Sequence, residues 1–272
     1  MQLIGPYKRQ AGVTIVELLI GMALGVIVIG GGILMYLASV QNSGETLRNS
    51  RLNQEISSLL LVMSNDIRRA GYWDAITNTD YHLNPFSQPG ETTLVVIDDM
   101  ANNNIQSATG NGSCITYAYD ATYQAGNTSG TIDTTDLFGF RLNGTVVQMR
   151  QAGVVDGTQC VGGSCDSCQN GTWANVTDPD LIEITSLNFD LANSLCLNAA
   201  EPNLVDDNGD GTIDDANEIN CYTTIPAIGS ENATVESREV VVTVAARLAN
   251  DPLVQSSASQ TIRVRNDLLR LR

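Results

Sequence analysis

The sequence predicts an α+β protein in which one long N-terminal helix packs on antiparallel β-sheet. A helical apolar pattern runs almost without interruption to Ala70. Beyond it lie short Val, Ile, Thr and Leu-rich runs bounded by Gly, Asn, Asp and Pro. Asn143-Gly144 sits between two of those runs, the signature of a tight hairpin. With 272 residues, 43% hydrophobic and 16% charged, the chain has enough apolar material for a packed head, so disorder is excluded as its main state.

The helix begins with a membrane span. From Leu18 to Ala38 there are 21 consecutive uncharged residues, and at about 1.5 Å per residue they make roughly 32 Å of helix, enough to cross a bilayer. A cleavable secretory signal has a shorter apolar stretch, so this is an anchor. Lys8 and Arg9 precede it and hold the leader on the cytoplasmic side, so everything after the span is exported. Glu17 breaks the apolar block from the left. A carboxylate at the centre of a membrane helix costs roughly 2.5 to 3.5 kcal/mol, so it either sits at the interface near the positive helix N-terminus or has a partner. Gly21 and Gly25 give a face for close helix packing, and Gly30, Gly31 and Gly32 make a weak spot in the span.

Past the span, Leu52, Ile56, Leu59, Leu60, Met63 and Ile67 recur at three- and four-residue spacing, with Arg48, Arg51, Glu55, Asp66 and Arg69 mostly opposite. The helix therefore runs from Val13 to about Ala70, and Gly71 stops it. Strands are expected at Leu94–Ile97, Ile115–Tyr119, Leu137–Leu142, Thr145–Gln151, Leu181–Leu191, Glu239–Leu248 and Gln260–Val264. The last two read as an antiparallel pair that closes the head. The expected division is 1–12 leader, 13–70 helix and 71–272 β-rich exported head.

All six cysteines, Cys114, Cys160, Cys165, Cys168, Cys196 and Cys221, fall in the exported part, where an even number reads as disulfides. Cys160, Cys165 and Cys168 have half the spacing of a zinc site, but no histidine is near them. Cys196 and Cys221 bracket an acidic loop and are expected to pair; three pairings remain open for the other four. Within that loop Asp206, Asn208 and Asp210 stand at positions one, three and five of an EF-hand-like calcium site. Gly211 supplies the turn at six, Thr212 a carbonyl at seven and Asp214 position nine. Position twelve is Asn217, so Glu218, one residue late, is the candidate last ligand. Close carboxylates repel, which favours calcium over a solvated acidic turn.

Charge narrows the function. Thirty acidic residues against 14 basic ones give −16, the wrong sign for a protein that grips phosphate backbones, so direct nucleic-acid binding is not expected. One histidine, His82, excludes a multi-histidine metal centre, and no nucleophile and base pattern marks an enzyme. Trp73 and Trp173 read as core or loop anchors.

The leader, Gly12, Val13-Thr14-Ile15-Val16-Glu17 and the apolar run together resemble the class III signal of type IV prepilins. That resemblance implies cutting between Gly12 and Val13 by a prepilin peptidase, methylation of the new N-terminus, and Glu17 as the fifth mature residue. There Glu17 would meet a neighbouring subunit's α-amino group, each charge offsetting the other's desolvation. Val13 departs from the usual Phe. Three further strings look like the PilW group of minor pilins: Asp66-Ile67-Arg68-Arg69-Ala70-Gly71-Tyr72-Trp73, Ile184-Thr185-Ser186-Leu187-Asn188-Phe189 and Ile262-Arg263-Val264-Arg265-Asn266. The resemblance implies a type IV pilin-like fold and a low-abundance subunit, held in the inner membrane with a periplasmic head before assembly. It then primes pilus assembly, sits at or near the extracellular tip and presents a PilY-type adhesin. Its partners would be other minor pilins and the major pilin. The J-type minor pseudopilin of type II secretion shares the architecture, and a membrane-anchored binding protein that never polymerises is the reading from a different class.

Overall fold

The computed structural model describes residues 12–74, 84–87, 92–99, 104–105, 110–121, 131–155, 165–196 and 233–271. The chain divides into two compact units, Met1–Arg48 and Asn49–Arg272.

Helix α1 (Ile15–Ile67) runs through the boundary between them. No proline occurs between Pro6 and Pro85 to interrupt it, and it stays helical through Gly30, Gly31 and Gly32. In the first unit its apolar side chains are exposed: Val28 is 73% exposed, Leu34 69% and Met35 79%. None of its most apolar stretch is buried in the protein, the pattern of a helix made for a lipid or helix-packed environment.

In the second unit the expected face is the buried one. Leu52, Ile56, Leu59, Leu60, Met63 and Ile67 are all buried, with Ser64 between them. Burying each such aliphatic side chain contributes about 1.5 to 3 kcal/mol, more than the preference of any single residue for helix. Gly71 ends the helix with a φ of 72°, a left-handed conformation that costs glycine nothing, and its N–H donates to the Ala118 carbonyl at 2.8 Å.

The described strands form three sheets. The first has six strands: β1 (Val95–Asp99), β2 (Asn104–Ile105), β4 (Cys114–Ala118), β5 (Leu137–Asn143), β6 (Val146–Ala152) and β7 (Thr172–Asn175), in the order β2-β1-β4-β5-β6-β7. The second, ordered β12-β11-β8-β3, contains β3 (Asn111–Gly112), β8 (Ile182–Asp190), β11 (Glu239–Leu248) and β12 (Asp251–Arg263). The third, ordered β13-β10-β9, is small: β9 (Leu195–Cys196), β10 (Ala233–Ser237) and β13 (Leu268–Leu271). All pairings are antiparallel. Along β11, Val240, Val242, Val244 and Ala246 point into the core that the helix face fills, with Ile184 and Phe189 of β8 and Ile115, Tyr117 and Phe140 of the first sheet. Gly144 takes a φ of 63° between β5 and β6, as the Asn-Gly pair requires.

Two expectations need correction. The strand expected over Gln260–Val264 is only the end of the thirteen-residue β12. It does not close the head, because β13 follows and pairs with β10, from Ala233↔Leu271 to Glu236↔Leu268. The small sheet is tied in by Arg238, buried between β10 and β11, which donates to the Leu94 carbonyl and to the Glu236 carboxylate. Breaking that buried pair from one side would leave a charge without compensation.

Candidate functional site

At the start of the described chain, Gly12 and Val13 are exposed, Val13 by 72%. Thr14 and Glu17 form a reciprocal cap on α1. The Glu17 N–H donates to the Thr14 hydroxyl oxygen at 3.3 Å, while the Glu17 carboxylate accepts from the Thr14 N–H at 3.4 Å and from its hydroxyl at 3.3 Å. This is a capping box, in which two otherwise orphaned helix N–H groups are satisfied by side chains three residues apart. The carboxylate also lies at the positive end of the helix dipole. No atom of the box belongs to residues 1–12, so cutting after Gly12 would leave it whole. In the single chain Glu17 therefore has a local task before any neighbour is present.

A second cluster lies where α1 ends. Asp66, expected among the solvated residues opposite the core face, is half-buried and accepts the hydroxyls of Tyr117 at 2.6 Å and Tyr119 at 2.7 Å. Burial pushes both phenols above their ordinary value, and the Asp66 charge adds to the rise. The Tyr119 ring stacks on Phe138 at 3.9 Å between centroids, and the Arg69 guanidinium lies 4.2 Å from the Tyr119 ring centre. The Arg265 N–H donates to the Arg68 carbonyl at 3.1 Å. The Asn266 side-chain amide donates to the carbonyls of the turn that follows α1, Arg69 at 3.2 Å and Ala70 at 3.0 Å. Two strings nearly two hundred positions apart, Asp66–Trp73 and Ile262–Asn266, are thus one structural joint.

Of the cysteines, Cys114 on β4 and Cys168 are joined by a disulfide with Cα atoms 6.5 Å apart, which selects among the pairings left open. Cys165 is also in a disulfide. Arg141 donates to the Cys168 carbonyl and Arg150 to the Cys165 carbonyl. The two guanidiniums lie 4.3 Å and 5.8 Å from the Trp173 ring centre, so Trp173 anchors this loop. Burial lowers Arg150 to about 10, against the pull of Asp166. Cys196 lies on β9, but its side chain, together with Cys160, Cys221, His82 and the loop of Asp206, Asn208, Asp210, Thr212, Asp214 and Glu218, is outside the described residues. Among the described residues, no group of three or more His, Cys, Asp or Glu side chains is placed to hold a metal.

The joint at Asp66, the arginine pair around Trp173 and the Asn266 cap were missed by sequence reasoning. The only available signal was the presence of charged and amide groups beside aromatic or helix-ending residues.

Comparison with known families agrees with this geometry at both ends. A family model described as prepilin peptidase-dependent protein B matches residues 45–264, and one described as the prokaryotic N-terminal methylation motif matches residues 7–33. No curated protein and no solved structure matches the chain.

Proposed function

Because the chain belongs to the prepilin peptidase-dependent protein B family, we propose that it is a minor pilin of the type IV pilus, cut after Gly12, that primes assembly and stays at or near the fibre tip. It is a pilin-type protein with a methylation motif and an apolar helix fit to anchor it in the membrane before assembly. The observation that carries the finer reading is the Thr14–Glu17 box at the head of an exposed apolar helix. On leaving the bilayer, such a helix needs other helices around it, and Glu17 then has a choice of partners. It exchanges its weak bonds to Thr14, all of 3.3 Å or longer, for the new α-amino group of a neighbour. That exchange sets the axial register of one subunit against the next.

On the same reading the head displays a PilY-type adhesin alongside other minor pilins, and the Asp206–Glu218 segment holds calcium, as its ligand spacing supports. The test is mass spectrometry of sheared pili combined with immunogold labelling. Chains that start at Val13 and label at fibre ends bear the proposal out. Intact Met1 chains, or label spread evenly along the fibre, overturn it. Loss of protein secretion with normal piliation in a deletion strain would move the chain to a J-type pseudopilin role.

A further inference from the structure

A shallow cleft of about 510 Å³ beside the joint is lined by Arg68, Glu239, Thr261, Arg263 and Arg265. Three arginines share it in a chain whose acidic residues outnumber its basic ones 30 to 14. Arg263 is compensated: Asp267 lies 3.7 Å away, and Glu239 is its cross-strand partner. The side chains of Arg68 and Arg265 have no hydrogen-bond or ion-pair partner among the described residues, although the backbone bond between them fixes their two segments side by side.

Two other arginines of the head are matched to carboxylates, Arg247 to Glu183 at 2.7 Å and Arg238 to Glu236 at 3.2 Å, while Arg69 and Arg141 lie against aromatic rings. Arg68 is half-buried, and no carboxylate is paired with it among the described residues. The negative end of the helix dipole explains a cation at Arg68. It does not explain Arg265, which comes from the sheet side and adds like charge to the same cleft.

We propose that this cleft binds an acidic peptide segment of another subunit, with Arg68 and Arg265 each taking a carboxylate. The planar guanidinium fork matches a carboxylate in a two-point contact that lysine cannot reproduce. Thr261 and Arg263 are alternate residues of β12, and Arg265 follows in the bend beyond it, so the basic groups come from the end of one strand. A carboxylate partner is favoured over a nucleic acid because the cleft offers two uncompensated guanidiniums, enough for two carboxylates but far short of the basic stripe that a phosphate backbone needs.

The inference rests on the chain being an assembling subunit, but a peptide assay examines the cleft whether or not a pilus forms. Full-length protein in non-ionic detergent micelles would be titrated into fluorescent hexaglutamate at about 20 mM and about 500 mM salt, read by anisotropy. Saturable binding that weakens with salt is expected. Arg68→Gln with Arg265→Gln should lose at least tenfold in affinity, Arg68→Lys with Arg265→Lys should lose less, and Arg51→Gln, on the exposed side of the helix, should lose none. Arg265→Glu alone, at an exposed position whose backbone bond is unchanged, should also lose at least tenfold and guards against a misfolded double variant. No saturable binding, equal binding by the Arg265→Glu variant, or displacement of the peptide by single-stranded DNA or anionic vesicles at lower concentration would each overturn the proposal.

Discussion

Asp66 and Tyr117, 51 residues apart, share a hydrogen bond of 2.6 Å that locks the last turn of the helix to the middle of the first sheet. Tyr119 adds a second bond to the same carboxylate at 2.7 Å. Hydrogen bonds to a charged group contribute about 1.5 to 3 kcal/mol each, and leaving buried hydroxyls unpaired has its own cost. Asp66→Ala should therefore destabilise the head by about 2 to 4 kcal/mol, measured by urea unfolding of the protein in micelles, with Asp66→Asn between it and wild type. Equal stability of Asp66→Ala and wild type would remove this joint from the account.

The same cluster predicts a pH dependence. Tyr117 and Tyr119 have folded pKa values raised above the ordinary 10.0, so their contribution is fully present below pH 10. As pH rises past that point the unfolded chain loses these protons first, and stability falls. Thermal unfolding should shift to lower temperature above pH 10, and the shift should shrink in the Tyr117→Phe, Tyr119→Phe variant.

The Cys114–Cys168 disulfide closes a sequence separation of 54 residues. By chain entropy such a loop is worth about 4 kcal/mol. Cys114→Ala with Cys168→Ala should lose most of that in equilibrium unfolding, and the segment around Cys168 that leads into β7 should gain protease sensitivity while β11 keeps its amide protection.

Calcium is tested by removing it. With a dissociation constant near 10⁻⁵ M, about 1 mM calcium would stabilise the fold by roughly 2.7 kcal/mol. Chelator should lower the melting temperature of wild type and leave Asp206→Ala with Asp210→Ala unmoved. Superimposable wild-type melts with and without chelator would make the loop an acidic turn.

The parts of this fold legible in the sequence are those where one periodicity decides the outcome. Six apolar residues from Leu52 to Ile67 specify the buried face of α1, the Asn143-Gly144 pair specifies its hairpin, and a Val-rich run specifies β11, whose burial then alternates. The middle of β12 was not legible, because Gln255-Ser256-Ser257-Ala258-Ser259-Gln260 has little intrinsic strand preference. Its conformation comes from pairing with β11, from Val242↔Gln260 to Arg247↔Gln255, and from contacts to the helix such as Ser256 to Asn53 at 2.6 Å. Asp66 was misplaced for a related reason. Helical spacing puts it away from the apolar stripe, and only the arrival of two tyrosines on a neighbouring strand makes that direction an interior one.

The cap that Asn266 places on α1 also has a consequence for timing. The turn that ends the helix precedes most of the head in the chain, yet its Arg69 and Ala70 carbonyls wait for an amide contributed 197 and 196 positions later. Until that residue has joined the fold, the joint stays open however well the sheets have formed. A chain cut short of its final residues would thus differ locally from a finished one at this joint, even with its sheets in place.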